Sequence, residues 1–223
     1  MRQVACVIPA YDAAATLEAV VSGLRVALPD ALLIVVDDGS SDATHDVASA
    51  CCDRAVHFRA NRGKGAALRA GFDVAHSECA RAVLTIDADG QHDPARAPEL
   101  LAALADADIV IGTRARTRGA MPLGRRVTNA LASAAVGAIV GVSVPDAQSG
   151  YRAIRREVLA GVRASGDRYE YETEFLIAAV RAGYRIGSVG VPTTYGAPSH
   201  FRAWGDSMRV MRAIWRQRAG GVS

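Results

Sequence analysis

Two runs of carboxylates carry most of the chemistry that these 223 residues could do. One is Asp37-Asp38-Gly39-Ser40-Ser41-Asp42; the other is Asp87-Ala88-Asp89-Gly90-Gln91. Each follows an apolar run. If the chain stays extended past the second run, side chains alternate, and Asp87, Asp89 and Gln91 project to one side. Clustered oxygen donors suit Mg²⁺ or Mn²⁺, which keep several waters and bind substrate phosphates through one or two carboxylates. The competing reading is a solvated turn, with Asp93 capping a helix that begins at Pro94. Two carboxylates facing one way repel each other without a cation, which favours the metal. Asp37 and Asp38 could accept from a ribose hydroxyl or a base N–H. Taken alone, that run reads equally as a turn at Gly39 and a helix cap at Ser41 or Asp42.

Cationic groups supply the complementary half. Asn61-Arg62-Gly63-Lys64-Gly65 holds the single lysine of the chain. The spacing is not that of a P-loop, and Leu68 stands where a dinucleotide-binding loop needs its last glycine. It reads as a loop entering a helix whose N-terminus favours anions. Arg114, Arg116, Arg118, Arg125 and Arg126 form a basic stretch. It is either a solvated loop or a clamp on phosphate, for which the planar guanidinium is suited. Arg209, Arg212 and Arg216 fall on one face of a terminal helix, opposite Val210, Met211, Ile214 and Trp215. That helix either packs on the domain or lies on an anionic membrane surface.

The elements that must position these groups alternate. Residues 4–8, 32–36, 55–58, 82–86, 109–111 and 184–191 read as strands. Residues 13–27, 42–51, 64–75, 154–161, 171–182 and 204–218 read as helices, with another starting at Pro94. Residues 127–144, rich in Ala, Val and Gly, read as a close-packing or interfacial helix. The pattern predicts an α/β fold, a mainly parallel sheet covered by helices on both faces. Ligands of such sheets bind outside the carboxyl ends of the strands, so both acidic runs are expected to face one crevice.

Composition narrows the classes. Half the residues are apolar and 22% are charged, as in ordinary globular proteins, and the net charge is only +3. That charge argues against a mainly electrostatic nucleic-acid binder. Cys6, Cys51, Cys52 and Cys79 show neither C-x-x-C nor zinc-finger spacing, and a reducing setting is the simpler reading. Pro9 and Asp12 interrupt any signal-peptide pattern, and no apolar run is long enough to span a bilayer. The expectation is a cytoplasmic protein, peripheral at most.

Taken in order, Val7-Ile8-Pro9-Ala10-Tyr11, the run from Val35 to Asp42, residues 61–65 and the run from Asp87 to Pro94 resemble family 2 glycosyltransferases. Ile111-Gly112-Thr113-Arg114 and Asp146-Ala147-Gln148-Ser149-Gly150-Tyr151-Arg152 bring the resemblance to the polyprenyl-phosphate sugar transferases, such as dolichyl-phosphate mannosyltransferase. It spans most of residues 4–195. The resemblance implies one GT-A domain, a Rossmann-like sheet flanked by helices, and inverting transfer from a nucleotide-sugar such as GDP-mannose or a UDP-hexose. It implies donor contacts from Pro9, Ala10, Tyr11, Asp12, Asp37, Asp38, Lys64, Asp87, Ala88 and Asp89. Mg²⁺ or Mn²⁺ would be held by Asp87, Asp89 and Gln91. Catalytic roles fall to Asp89, Arg114 and Asp146. Arg114, Arg125, Arg126, Gln148 and Ser149 would face the acceptor or its phosphate, the acceptor being polyprenyl or dolichyl phosphate. The family often has Asn-Glu after the tyrosine, where Asp12 and Ala13 stand here. Its late serine-lysine element is not evident around Ser199-His200-Phe201. The transmembrane extensions of many members are missing, so a membrane partner could replace them. A hydroxyl acceptor would instead require a base, with Asp146, Glu172 and Glu174 as candidates. Two other classes stay open, a sugar-nucleotide nucleotidyltransferase and a noncatalytic binder. The first commonly carries a glycine-rich basic signature that residues 9–12 lack.

Overall fold

Val4–Ala10 forms β1, a run of small and β-branched residues buried along nearly its whole length. A computed structural model describes the chain over residues 3–114, 133–134, 136–138, 141, 144, 146–168 and 170–192, Arg114 through its backbone only. Arg116, Arg118, Arg125 and Arg126, most of the expected 127–144 helix, residues 199–201 and the expected 204–218 helix lie outside the described residues.

Helix α1, Ala14–Ala27, buries Leu17, Val20, Val21 and Leu24, the stripe that a 3.6-residue period predicts. Strand β2, Leu32–Asp37, is buried throughout. Then follow α2 (Thr44–Cys51), the short edge strand β3 (Arg54–His57) and α3 (Lys64–Ser77). Strand β4 is Ala82–Thr85. Asp93 accepts from Ala95 N–H and opens a 3₁₀ turn, Pro94–Arg96, that leads into α4 (Ala97–Ala102). Strand β5 is Ile109–Arg114, so Arg114 ends the strand rather than following it. After the 146–151 loop come β6 (Arg152–Arg155), α5 (Arg156–Gly161), α6 (Glu170–Arg181) and β7 (Ile186–Val191).

Among the described residues these strands form one sheet in the order β3-β2-β1-β4-β6-β5-β7. All neighbours are parallel except β6, which runs antiparallel to both β4 and β5. The sheet is therefore mainly parallel, as the alternation predicts. Strand β6 is the departure: residues 154–161 read as helix in the sequence, but the helix begins only at Arg156. Four residues are too few to display either period, and the partners that make Arg152–Arg155 a strand are distant in the chain.

Alternate residues of the strands feed two cores. Val7, Ile34 and Val36 pack with Leu68 of α3 and Phe175 and Leu176 of α6. Cys6, Ile8, Leu33 and Val35 face Leu17, Leu24 and Leu100 on the other side. Each fully buried Leu or Ile contributes about 1.5–3 kcal/mol over an exposed one. Burial also pushes the Cys6 thiol up to about 12, which leaves it a small apolar side chain rather than a nucleophile.

Candidate active site

The carboxyl ends of β1, β2 and β4 lie side by side, so the loops leaving them share one edge of the sheet. Because β6 runs the other way, the 146–151 loop that precedes it arrives at the same edge. Pro9 and Ala10 end β1, and Tyr11 and Asp12 follow, both half-buried. Asp12 turns with φ +45°, and its carboxylate accepts from Ser41 N–H at 2.7 Å and from the Ser41 hydroxyl at 3.1 Å. Ser40 returns the link by accepting from Asp12 N–H at 2.9 Å. The two loops are thus stapled to each other.

Asp37 and Asp38 are both buried, and both hold backbone. Asp37 Oδ1 accepts from Ser40 N–H at 3.0 Å and from its hydroxyl at 2.5 Å, while Oδ2 lies 2.7 Å from His57 Nδ1. Asp38 accepts from Arg62 N–H at 2.7 Å and Gly63 N–H at 2.8 Å. Burial raises its pKa, against the lowering by those two amides. The expected cap at Asp42 exists in altered form. Helix α2 starts after Ala43, and Asp42 accepts from Thr44 N–H and from Ala14 N–H, so one carboxylate serves the start of two helices.

The second acidic run departs from the extended form that its spacing suggests. Ala88–Gly90 is a turn, with Gly90 at φ +70°, and Asp89 Oδ1 accepts from Gln91 N–H at 3.0 Å. The turn replaces the strand alternation expected of Asp87, Asp89 and Gln91, and within it Asp89 caps the Gln91 amide. Ala88 is buried, and its carbonyl accepts from the Thr16 hydroxyl at 2.6 Å, which ties the turn to α1.

Lys64 stands at the centre. Its ammonium lies 2.7 Å from Asp87 Oδ1 and 3.0 Å from Glu172 Oε2. The lysine that the sequence singles out therefore meets the metal-type carboxylate, and α6 adds Glu172. Glu174, the other base candidate on α6, accepts from Gly166 N–H at 3.0 Å and holds the 165–166 turn. The expected anion site at the α3 N-terminus is corrected by the same region. Ala66 N–H donates to Asp167 O, and the Gly166 and Asp167 carbonyls lie against Gly65 and Gly63, so carbonyls cover that end. Gly63, at φ +103°, permits the approach.

The 146–151 loop is fixed from beneath. Arg152, 3% exposed, donates to Ser149 O, Ala147 O and Glu172 O at 2.8–3.0 Å. Burial lowers its pKa, opposed by Glu172, Asp146 and Asp87, which favour the charged form. Ser149 is buried and its hydroxyl donates to Gly112 O at 2.7 Å, so it braces the loop against β5. Gln148 is half-buried, and Asp146 sits at φ +46° at the loop's start. Gly150 has no room for a side chain: a Cβ there would sit 2.5 Å from both Asp87 carboxylate oxygens. Arg152 is the site residue that the sequence reading did not single out, although the Asp146-to-Arg152 run contained it; Glu172 was expected only as a base candidate for a hydroxyl acceptor, and its pairing with Lys64 is new.

The mainly parallel sheet flanked by helices, with acidic loops leaving the carboxyl ends of its strands, matches the GT-A fold of solved glycosyltransferases. The chain belongs to glycosyl transferase family 2, whose model matches residues 5–163. It is 32% identical to the undecaprenyl-phosphate mannosyltransferase of Micrococcus luteus over 204 residues, covering 86% of this chain and 83% of that one. It is 34% identical to the polyprenol monophosphomannose synthase of Mycolicibacterium smegmatis, over 85% and 76% of the two chains. Among solved structures, glucosyl-3-phosphoglycerate synthase from Mycobacterium tuberculosis with Mn²⁺, uridine-diphosphate and phosphoglyceric acid superposes with TM-score 0.78. That match has 24% identity and covers 97% of this chain and 78% of the other. The protein is a glycosyltransferase. Among the described residues no helix is long and apolar enough to cross a membrane.

Proposed function

We propose that the protein moves a sugar, with inversion, from GDP-mannose or a UDP-hexose to the phosphate of a polyprenyl or dolichyl phosphate. The observation that carries the site reading is the bridge from Lys64 to Asp87 and Glu172 at the carboxyl ends of the strands. The names of the two curated relatives support the acceptor and, for the sugar, mannose. Asp87, Asp89 and Gln91 would hold Mg²⁺ or Mn²⁺, which neutralises charge on a departing diphosphate. The residue chemistry fits such an ion: one short run of the chain offers two carboxylates and an amide, and Asp87 already draws an ammonium to 2.7 Å.

The nucleoside side of the donor falls to Pro9, Ala10, Tyr11, Asp12, Asp37 and Asp38, the last three through loops that their own hydrogen bonds hold in shape. Lys64 supplies positive charge beside the diphosphate. Gln148, Arg114, Arg125 and Arg126 are assigned to the acceptor side, and Asp146 to the start of the loop that carries Gln148; Ser149, buried with its hydroxyl on Gly112 O, braces that loop instead of facing the acceptor as the resemblance implied. A phosphate acceptor ionises with a second pKa of about 6, so the nucleophile needs no general base. Glu172, paired with Lys64, then acts by charge and position. The transition state is oxocarbenium-like, as in other glycosyl chemistry. An amphiphilic acceptor implies work at a membrane surface, as a peripheral protein or beside a membrane partner, with the 204–218 helix as the candidate contact. The chain is proposed to form one domain with that helix appended.

The test is purified protein with polyprenyl phosphate and a panel of GDP- and UDP-sugars, with Mn²⁺ or with EDTA, read by mass spectrometry of the lipid product. One donor is expected to give a metal-dependent glycolipid, and Asp89→Asn is expected to lower its rate by about 100-fold or more. Full activity of Asp89→Asn would remove the metal assignment. No product with a folded, donor-binding protein would remove the lipid-phosphate acceptor.

A further inference from the structure

Apart from the carboxylates proposed to hold the donor's metal, a second cluster of metal-type donors lies on different elements. Asp37 and His57 are the last residues of β2 and β3 and are register partners in that parallel pair. His45 is the second residue of α2. One ring nitrogen of each histidine and one Asp37 carboxylate oxygen all lie within 4.8 Å of one another. Asp37 Oδ2 is 2.7 Å from His57 Nδ1 and 4.0 Å from His45 Nδ1. The two rings are tilted by 54° with centroids 4.5 Å apart.

We propose that Asp37, His45 and His57 bind a divalent d-block ion of the Zn²⁺ class, separate from any Mg²⁺ or Mn²⁺ at Asp87 and Asp89. Two imidazoles and one carboxylate form the three-ligand set that zinc takes when it keeps a fourth position for water. Imidazole nitrogen suits Zn²⁺, Ni²⁺ and Cu²⁺, whereas Mg²⁺ prefers oxygen. Metal–ligand lengths of about 2.0–2.2 Å in a tetrahedron separate ligand atoms by roughly 3.4 Å. The observed 2.7 and 4.0 Å straddle that value, so one contact opens and the other closes by less than an ångström. The parts that must move are free to move: the His45 and His57 side chains are 49% and 40% exposed. The part that must stay is held, since Asp37 is 1% exposed and its other oxygen is fixed by Ser40. On binding, the ion replaces the hydrogen bond between His57 Nδ1 and Asp37 Oδ2, and His57 presents the lone pair of Nδ1 to it.

The proposal stands on these three residues alone and is independent of donor or acceptor identity. It is tested by titrating Co²⁺ into the nucleotide-free protein and reading its visible d–d absorption, then displacing it with Zn²⁺. One tetrahedral or five-coordinate Co²⁺ per chain is expected, displaced by Zn²⁺ and untouched by millimolar Mg²⁺. His45→Gln together with His57→Gln is expected to weaken binding by at least about 100-fold, while Asp89→Asn leaves it unchanged. His45→Gln alone, on an exposed position, gives the same direction if the double variant unfolds. Absence of the bands in wild type overturns the proposal, as does their persistence in the histidine variants. A thiolate charge-transfer band overturns it too, since it would place the ion on Cys51 or Cys52.

Discussion

Lys64 faces two carboxylates with little water around it, its side chain 14% exposed. Replacing it by Met leaves Asp87 and Glu172 without the cation between them. Removing one partner of a fully buried pair costs about 3–5 kcal/mol, and the partial exposure of Asp87 brings the expected loss for Lys64→Met to about 2–3 kcal/mol. If the ammonium and a divalent ion draw on the same carboxylate, Mn²⁺ should raise the Tm of Lys64→Met by more than that of wild type. Equal shifts would mean that the two cations do not share Asp87. Asp38 gives a pH signature. Its raised pKa means that the folded protein keeps this proton where the unfolded chain has lost it. Its contribution to stability is full below the ordinary carboxylate value of 3.8 and is lost as pH rises through the raised folded value. Asp38→Asn removes that dependence and leaves Arg62 or Gly63 N–H without its acceptor. The variant is expected to be less stable throughout, with the gap to wild type widest in acid and narrowing as pH rises, as urea unfolding at several pH values would show. A gap that widens with pH would reverse the assignment. At this scale the sequence identified the carboxylates and the lysine by type and spacing. It did not show that Asp12 and Asp38 are engaged by backbone, because those donors come from loops elsewhere in the chain.

Strand β6 illustrates what element-level reading loses. Helix α1 was legible because four apolar residues repeat at helical spacing over 14 residues. Arg152–Arg155 has no such length, and its identity comes from pairing Leu84 with Ala153 and Ile111 with Arg152. Non-local pairing of this kind leaves no periodic trace. Its consequence is large, since the antiparallel direction is what delivers Gly150 to Asp87. The carbonyl of Gly150 also accepts from the Thr85 hydroxyl at 2.8 Å, closing the loop on the end of β4. A methyl group at this position must displace the Asp87 carboxylate or the loop. Overpacking of this sort costs about 1–3 kcal/mol. Gly150→Ala is therefore expected to fold with a modestly lower Tm and yet lose sugar transfer by about 100-fold, the loss that follows removal of one electrostatic group from an active site. Activity lost in proportion to folded protein would show a purely structural role instead.

For the molecule as a whole, chain order and sheet order disagree, and that disagreement sets how the protein unfolds. Strands β1 to β4 form one parallel block, but β5 does not join it directly; β6 stands between β4 and β5. Among the described strands, β5 pairs only with β6 and β7, which come later in the chain. Both cores likewise mix the two parts: Phe175 and Leu176 of α6 pack with Val7 and Ile34, and Tyr151 and Ala153 pack with Ile8 and Leu84. A fragment ending at residue 114 would leave β5 without a hydrogen-bonding neighbour and both hydrophobic faces partly bare. The Arg69 guanidinium, which donates to Gly166 O and pairs with Asp167, adds a polar link across the same divide. The expectation is one cooperative unit across residues 4–191. Native-state hydrogen exchange measures this directly, because segments that open together exchange with one free energy. Amides of β4, β5 and β6 should exchange at the same, global value, and residues 1–114 expressed alone should lack a cooperative melt. If β5 to β7 exchanged at a distinctly lower free energy than β1 to β4, the later half would be a separable layer. The crevice would then be assembled by docking rather than by folding, and the geometry around Asp87 would depend on whatever holds the two layers together.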